Sequence, residues 1–463
     1  MNSKSPTTSR PGDAPLASEV VPHPLVDDVV DDLAHDLAHD RALRQQEAIA
    51  FVLEVGSALH RVGTPAHRLE TAMCRISDLL GLKAQFFSTP TAIFAGFGDV
   101  SRQQTSLVRL EPGIVNLGRL ARVDEIVNAV IDRSVSLGTG AAAIRGVMAA
   151  PGSVHPVVVF CMHVVAAGVA ARFFGGGYLE MALGSGIGVL VGILDRLMNR
   201  EVQQPPPGST SISAVAHLER TLVAAAPVFV PLAAAVVAAS AALCAHWLPG
   251  VSPTVLLLAG VLPLLPGLTL TTGMNELSTR HLTSGTARLT AAGLTFIQLA
   301  FGVAIGGRVG DAFPPLGPPV EVVVSEWLDL AAIVVGSTAY ATIFSAMLRD
   351  YAWIVASGAI AYLGARFGSS ELGPELGAFV GSFAVGVFAN LYSRWRSRPA
   401  TVLIVPGILL LVPGSVGFKG VSSLLARDAA AGVNLAFSAV FIAISIVAGL
   451  MLSNAVVPSK KVL

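Results

Sequence analysis

Charged side chains are scarce in this sequence. Asp, Glu, Lys and Arg make up 13% of 463 residues, about half the share carried by a soluble domain. The two signs balance at 30 each, so net charge points to neither nucleic acid nor an acidic partner. Lysine is almost missing: Lys4, Lys83, Lys419, Lys460 and Lys461 are the whole set. Arginine in its place, with much Ala, Gly and Val, suggests a GC-rich bacterial genome. Cysteine is equally sparse. Cys74, Cys161 and Cys244 lie far apart, which argues against a disulfide framework or a metal knot and leaves them as small packing residues. No Walker loop or nucleophile elbow occurs, so ATP-driven pumping is disfavoured and hydrolysis has no recognisable nucleophile. Residues 1–20 contain no apolar core of a secretory leader.

Apolar length, by contrast, is plentiful. Hydrophobic residues make up 53% of the chain and mean hydropathy is +0.68. The charges crowd into the first 135 residues and then thin out. From 154 onward ten apolar stretches of spanning length recur, at about 154–174, 178–198, 222–246, 251–273, 286–307, 327–348, 351–367, 375–393, 400–418 and 432–455. Lipid leaves each no option but helix. With the amino terminus in the cytoplasm, the inside loops and tail hold eleven cations, among them Arg196, Arg280, Arg288, Arg349 and Arg398. The outside holds five: Arg172, Arg308, Arg366, Lys419 and Arg427. That bias places both termini inside.

Ahead of the spans, residues 1–40 read as a disordered or helical tail. The tail includes an acidic stretch with His35 and His39 a helical turn apart. The two histidines could hold a metal, but no third ligand type is placed nearby, so the stretch reads as a solvated lead-in. Residues 41–136 read as a small cytoplasmic α/β domain. One helical stripe runs through Leu43, Ile49, Val52, Leu53 and Leu59. Thr64-Pro65 caps a second, which carries Leu69, Met73 and Ile76 and stops at Gly81. Strand-like runs follow at 84–88, 91–97 and 104–110, then a helix from Leu117 to Val135. Glu54, His60, Arg61, His67, Arg68 and Glu70 read mainly as wet helix faces, with acid/base chemistry the lesser alternative.

The apolar part repeats itself. Gly260 to Gly267 (GVLPLLPG) aligns without gaps on Gly407 to Gly414 (GILLLVPG), an offset of 413 − 266 = 147 residues. The Pro-rich loop 199–221 accounts for a larger offset between the flanking spans. Residues 137–310 and 311–463 therefore read as two five-helix units. Five is odd, so the second unit enters the membrane from the opposite side, and the expected fold is a polytopic helical bundle of two inverted repeats, as in secondary transporters. A Pro-Gly pair inside a span frees backbone groups at depth, where they can meet the carboxylate and ammonium of a zwitterion. Pro266, Gly267, Pro413 and Gly414, with the adjacent hydroxyls of Thr269, Thr271, Thr272 and Ser415, are the expected substrate site. Glu276, nine residues past Gly267, and Arg288 are the expected coupling or gating pair, because charge near a span is costly. Glu180, Asp195, Asp329, Arg349 and Asp350 sit near span ends, where setting topology explains them equally well. Glycines 184, 188 and 192, and 377 and 381, are spaced for close helix packing.

Several of these residues carry a family likeness. Val55-Gly56 through Gly81-Leu82, Pro90-Thr91-Ala92-Ile93, Pro266-Gly267-Leu268 through Ser284-Gly285-Thr286-Ala287-Arg288, and Val412-Pro413-Gly414-Ser415 resemble the threonine/serine exporter family over about residues 45–455. The resemblance implies a cytoplasmic amino-terminal domain, ten spans in the bacterial plasma membrane, and gradient-driven export of small hydroxy amino acids, with H+ the expected coupling ion. No cofactor, metal or nucleic acid is expected; membrane lipid is, and self-association of the chain stays open. Glu276 stands where the family usually has Asp, and Thr272 and Arg280 stand where it often has Asn and Gly. Related two-component members are linked to dicarboxylate export, which makes a dianionic substrate the runner-up. A membrane-embedded hydrolase or sensor acting through residues 41–136 is the rival of a different class.

Overall fold

A computed structural model describes residues 24–99, 101, 103–111, 113–199, 228–315, 317–320, 325–425 and 427–458. The tail at 1–23, the Pro-rich loop from 200 on, the first residues of the expected third span, and Lys460 and Lys461 lie outside these.

The amino-terminal part opens with one long helix, α1 (Pro24–Arg61). The helical lead-in expected over 24–40 runs on without interruption into the first helix of the domain, because Leu25 to Val55 contains no Gly or Pro to punctuate it. His35 and His39 lie on its exposed face. Its last turns bury Phe51, Val52, Val55 and Leu59 against Leu69, Met73 and Ile76 of α2 (Ala66–Leu79). Gly81, at φ +73°, closes α2 in the left-handed conformation that glycine takes without strain. Thr64 does not cap α2 as expected: Pro65 is the capping residue and no side chain of its own segment bonds the helix start. Strands β1 (Ala84–Thr89), β2 (Ala92–Phe97) and β3 (Gln104–Arg109) form an antiparallel sheet in sequence order, with Ala84 opposite Phe97 and Ala92 opposite Arg109. Ile93, Ala95 and Phe97 alternate into the core. α3 (Leu117–Ile131) follows, started by the Asn116 side chain. α4 (Leu137–Ala149), where the membrane unit was expected to begin, instead packs Ala141 and Ile144 into this same core.

The rest of the described chain is helical: α5 (Pro156–Phe173), α6 (Tyr178–Asn199), α7 (Phe229–Trp247), α8 (Pro253–Val261), α9 (Gly267–Ser278), α10 (Leu282–Ala312), α11 (Glu326–Ile343), α12 (Tyr351–Leu372), α13 (Pro374–Arg396), α14 (Thr401–Leu409), α15 (Gly414–Leu425) and α16 (Ala429–Val456). Seven of these segments are long and apolar enough to cross a membrane, with α14–α15 as one, or eight with the bent pair α8–α9. The protein is thus a multi-pass membrane protein, and the expected ten spans are not all met by this measure. α11 and α12 fall short for a visible reason: Glu326 and Asp329 open α11, and Tyr, Ser, Gly and Arg366 dilute α12. The outward faces suit lipid. Leu294, Ile297, Phe301 and Ile305 form an exposed apolar stripe along α10. Small residues let the helices touch: a Cβ added at Gly188 of α6 would lie 2.9 Å from the Ala167 Cβ of α5.

Both apolar breaks are real interruptions. After a 3-10 turn at Leu262–Leu264, the chain bends by 56° and α9 starts at Gly267 behind Pro266. α14 stops at Leu409 and α15 restarts at Gly414 behind Pro413. The two breaks face each other. A Cβ on Gly267 would run into the Val412 side chain and lie 3.3 Å from the Gly414 Cα. Gly267→Val is expected to destabilise the protein by about 1–3 kcal/mol through overpacking, read as a lower thermal midpoint in detergent. Adding Val412→Ala should restore only part, since Val412 can yield but the Gly414 backbone cannot; an unchanged midpoint in Gly267→Val would refute the contact.

Candidate functional site

α9 and α10 form a tight hairpin. A Cβ on Gly285 would lie 2.9 Å from the Gly273 carbonyl oxygen, so two glycines permit the approach. Arg280 turns the corner in the left-handed conformation, φ +66°, at a cost of about 1–2 kcal/mol that glycine would avoid. The hairpin carries Glu276 inward until it is wholly buried. Arg288 Nε donates to both of its oxygens, at 3.1 and 3.0 Å. The Ala66 backbone N–H donates to Oε1 at 2.9 Å. Ala66 opens α2, whose first N–H groups have no intrahelical acceptor. A carboxylate from 210 residues away therefore supplies the cap that Thr64 does not, at the positive end of the helix dipole.

More polar contacts surround this one. Glu70 Oε1 accepts from the Ser88 N–H (2.7 Å) and hydroxyl (2.9 Å), while its Oε2 faces His281 Nε2 at 3.2 Å. Asn275 Nδ2 lies 3.3 Å from His67 Nε2. His60 Nε2 meets the Thr89 carbonyl at 3.2 Å, and burial lowers its pKa. His60, His67, Arg68 and Glu70 read as wet residues in sequence; here they lie at or beside the seam between the amino-terminal part and the membrane helices. A second contact lies further along that seam. Glu125 of α3 accepts from Arg349 (2.6 Å) and Arg398 (2.8 Å), and the Leu117 N–H donates to the Phe344 carbonyl at 2.9 Å.

Between the α1–α2 turn and helices α9, α13, α14 and α16 lies a cavity of about 480 Å³. His67, Arg68, Asn275, Asn390 and Asn454 line it, together with Thr271 and Thr272 from the expected site. Thr271 spends its hydroxyl on the Gly267 carbonyl, 3.0 Å away. Pro266, Gly267, Thr269, Pro413, Gly414 and Ser415 are outside the wall, and Glu276 and Arg288 sit behind it. Thr64 Oγ1, His67 Nδ1 and Asn390 Oδ1 are buried in the wall without a protein partner. Asn390 Nδ2 donates to Asn454 Oδ1 at 2.8 Å. Burial, then the charge on Arg68, pushes His67 down to about 3, so its ring is neutral near pH 7. With Nε2 accepting from Asn275, the single ring proton is assigned to Nδ1, which becomes a donor for the cavity. Asn390 and Asn454 were the findable residues here, as amides inside apolar spans; His67 and Arg68 stand out in sequence only as polar residues of α2, which nothing local separates from a wet helix face.

Glu276→Ala should destabilise the protein by about 3–5 kcal/mol, because it leaves Arg288 without its counter-charge and Ala66 without an acceptor. Glu276→Gln should cost less, since an amide oxygen still accepts from Ala66. Thermal midpoints and protease cutting at residues 62–65 check this; an alanine variant as stable as wild type would show that the carboxylate does not join the two parts. His67 gives a pH dependence. Its folded pKa is depressed, so its stabilising share is full above about pH 6.5 and lost as pH falls toward about 3, with a limiting slope of about 1.4 kcal/mol per unit. His67→Gln should flatten the acid side of the stability profile. An equally steep profile in that variant would assign the slope to other groups.

Comparison with known proteins fits this architecture. A family model for threonine/serine exporters matches residues 50–218 and 208–310, and a second, described as Threonine/Serine exporter, matches residues 329–456. "Pheromone-regulated membrane protein 10" of Pichia sorbitophila is 25% identical over 385 residues, covering 81% of this chain and 37% of that protein. The protein of the same name in Eremothecium gossypii is 26% identical over 388 residues, covering 80% and 48%. The chain thus spans from about a third to about half the length of these relatives. No solved structure matches. The two family models together cover most of the sequence, and the chain belongs to the threonine/serine exporter family.

Proposed function

We propose that this protein is a secondary transporter that exports small hydroxy amino acids, threonine and serine, from the cytoplasm. The observation that carries the reading is the cavity under the amino-terminal part. Arg68 is the one charged side chain in its wall among the described residues, and it suits a single carboxylate. The His67 Nδ1 proton adds a neutral donor, while Asn390 Oδ1 and Thr64 Oγ1 offer acceptors to an ammonium and a hydroxyl. A dicarboxylate would call for a second cation, so the wall favours the zwitterion over the runner-up.

The loops that touch the amino-terminal part, at 276–281, 344–349 and 398, are those expected on its own side of the membrane. That agrees with an odd number of spans in each unit, as two inverted five-helix units require; on this reading that side is the bacterial cytoplasm, with both termini in it, and the cavity is the inner vestibule. The facing Pro-Gly breaks then serve as hinges rather than ligands. Glu276 with Arg288 is the coupling or gating group on this reading, because its contacts tie the hairpin to the start of α2. Threonine counterflow in proteoliposomes tests the reading. Arg68→Gln should slow it at least about tenfold, as expected for a lost charge-assisted hydrogen bond. Glu276→Gln should keep exchange but lose its response to a pH gradient. Wild-type rates in Arg68→Gln, or faster succinate than threonine counterflow, would defeat the proposal.

A further inference from the structure

A second cavity, of about 620 Å³, lies where the amino-terminal part meets the edge of the bundle. Half-buried Arg119 and exposed Arg122 of α3 line it, together with His155, the cap of α5. No carboxylate lines it among the described residues. Arg119 is held in place by one bond, Nη2 donating to the Ala150 carbonyl at 2.7 Å. His155 Nδ1 accepts from the Val157 N–H at 3.3 Å. Val158 and Leu348 form an apolar lip, 43% and 84% exposed, and Val157 beside them is 51% exposed. That lip continues onto α5, a helix apolar enough to span. The cavity is therefore cationic on its α3 wall and apolar at its Val158 and Leu348 lip, beside the start of a helix apolar enough to span.

We infer that this cavity holds the headgroup of an anionic phospholipid from the leaflet on the amino-terminal side, its phosphate against Arg119 and Arg122 and its acyl chains along Val158 and Leu348. Two cations with no acid in the wall select a negative headgroup, and the apolar lip selects a molecule with tails over a soluble phosphate. A neutral phosphatidylcholine meets the same lip but brings no net charge. The bound lipid would wedge α3 and α4 against α5, a role independent of the solute transported.

Native mass spectrometry of the full chain in detergent, with phosphatidylglycerol or phosphatidylcholine added, tests this. Phosphatidylglycerol should be retained preferentially. Arg122→Gln, at an exposed position, should weaken retention about fivefold, and Arg119→Gln with Arg122→Gln about 25-fold. Arg145→Gln, which removes an equal charge from the same part of the protein, should change nothing. Equal retention of the two lipids, or an equal loss in Arg145→Gln, would overturn the site. Displacement of the lipid by glycerol phosphate at matching concentration would show that it reads a soluble phosphate instead.

Discussion

A carboxylate with no access to water needs its charge answered on every side, and Glu276 is answered by two parts of the chain at once. Arg288 comes from the hairpin partner of its own helix, and the Ala66 N–H comes from the amino-terminal part. Burying such a charge alone would cost several kcal/mol. The amino-terminal part and the membrane helices therefore share one electrostatic requirement and cannot separate without exposing it. The contact at Glu125 is different in kind. Its ion pair with Arg349 has both side chains about half exposed, and pairs of that sort contribute about 0–1 kcal/mol. The Arg398 side of the Glu125 contact is more sheltered, 12% exposed, but Glu125 itself stays half open to water, whereas Glu276 has no water at all.

Helix α9 turns the Glu276 contact into a lever. Its first residue, Gly267, lies against Gly414 at the facing break, and Glu276 lies two and a half turns along. Twelve helical residues span about 18 Å, more than half of a hydrocarbon core of about 30 Å. A displacement of Glu276 would therefore be carried along α9 to the break at Gly267. No chain of small side-chain movements is needed between them.

The parts of this arrangement legible in the sequence are those written in local spacing. The three strands, the glycine stop at Gly81 and both Pro-Gly breaks stand close to where periodicity and turn residues put them. The rest depends on contacts between distant segments. Leu69, Met73 and Ile76 identify the buried face of α2, but a covered polar face and a wet one look the same in sequence, so His67 and Arg68 read as solvated. Thr64 resembles a cap, yet the acceptor lies on α9. α4 reads as the start of the membrane unit, although its small residues fit the groove beside Phe51. Composition suggests a boundary at residue 40, where the helix simply continues.

The cavity also explains why a histidine with so low a pKa belongs beside an arginine. Two cations about 4 Å apart repel by about 4 kcal/mol at the effective dielectric near a protein surface. A wall carrying both would hold a dianion well and repel the ammonium of an amino acid. Burial keeps the His67 ring neutral, so Arg68 supplies the single positive charge and the imidazole contributes a directed N–H without adding a second. The same burial leaves Asn390 Oδ1 and Thr64 Oγ1 without protein partners, and each such atom costs about 1–3 kcal/mol until something bonds to it. An apolar side chain of threonine's size would leave that cost standing, whereas a hydroxyl removes it. The selectivity proposed for this site thus comes as much from groups kept unpaired as from the one charge that is present.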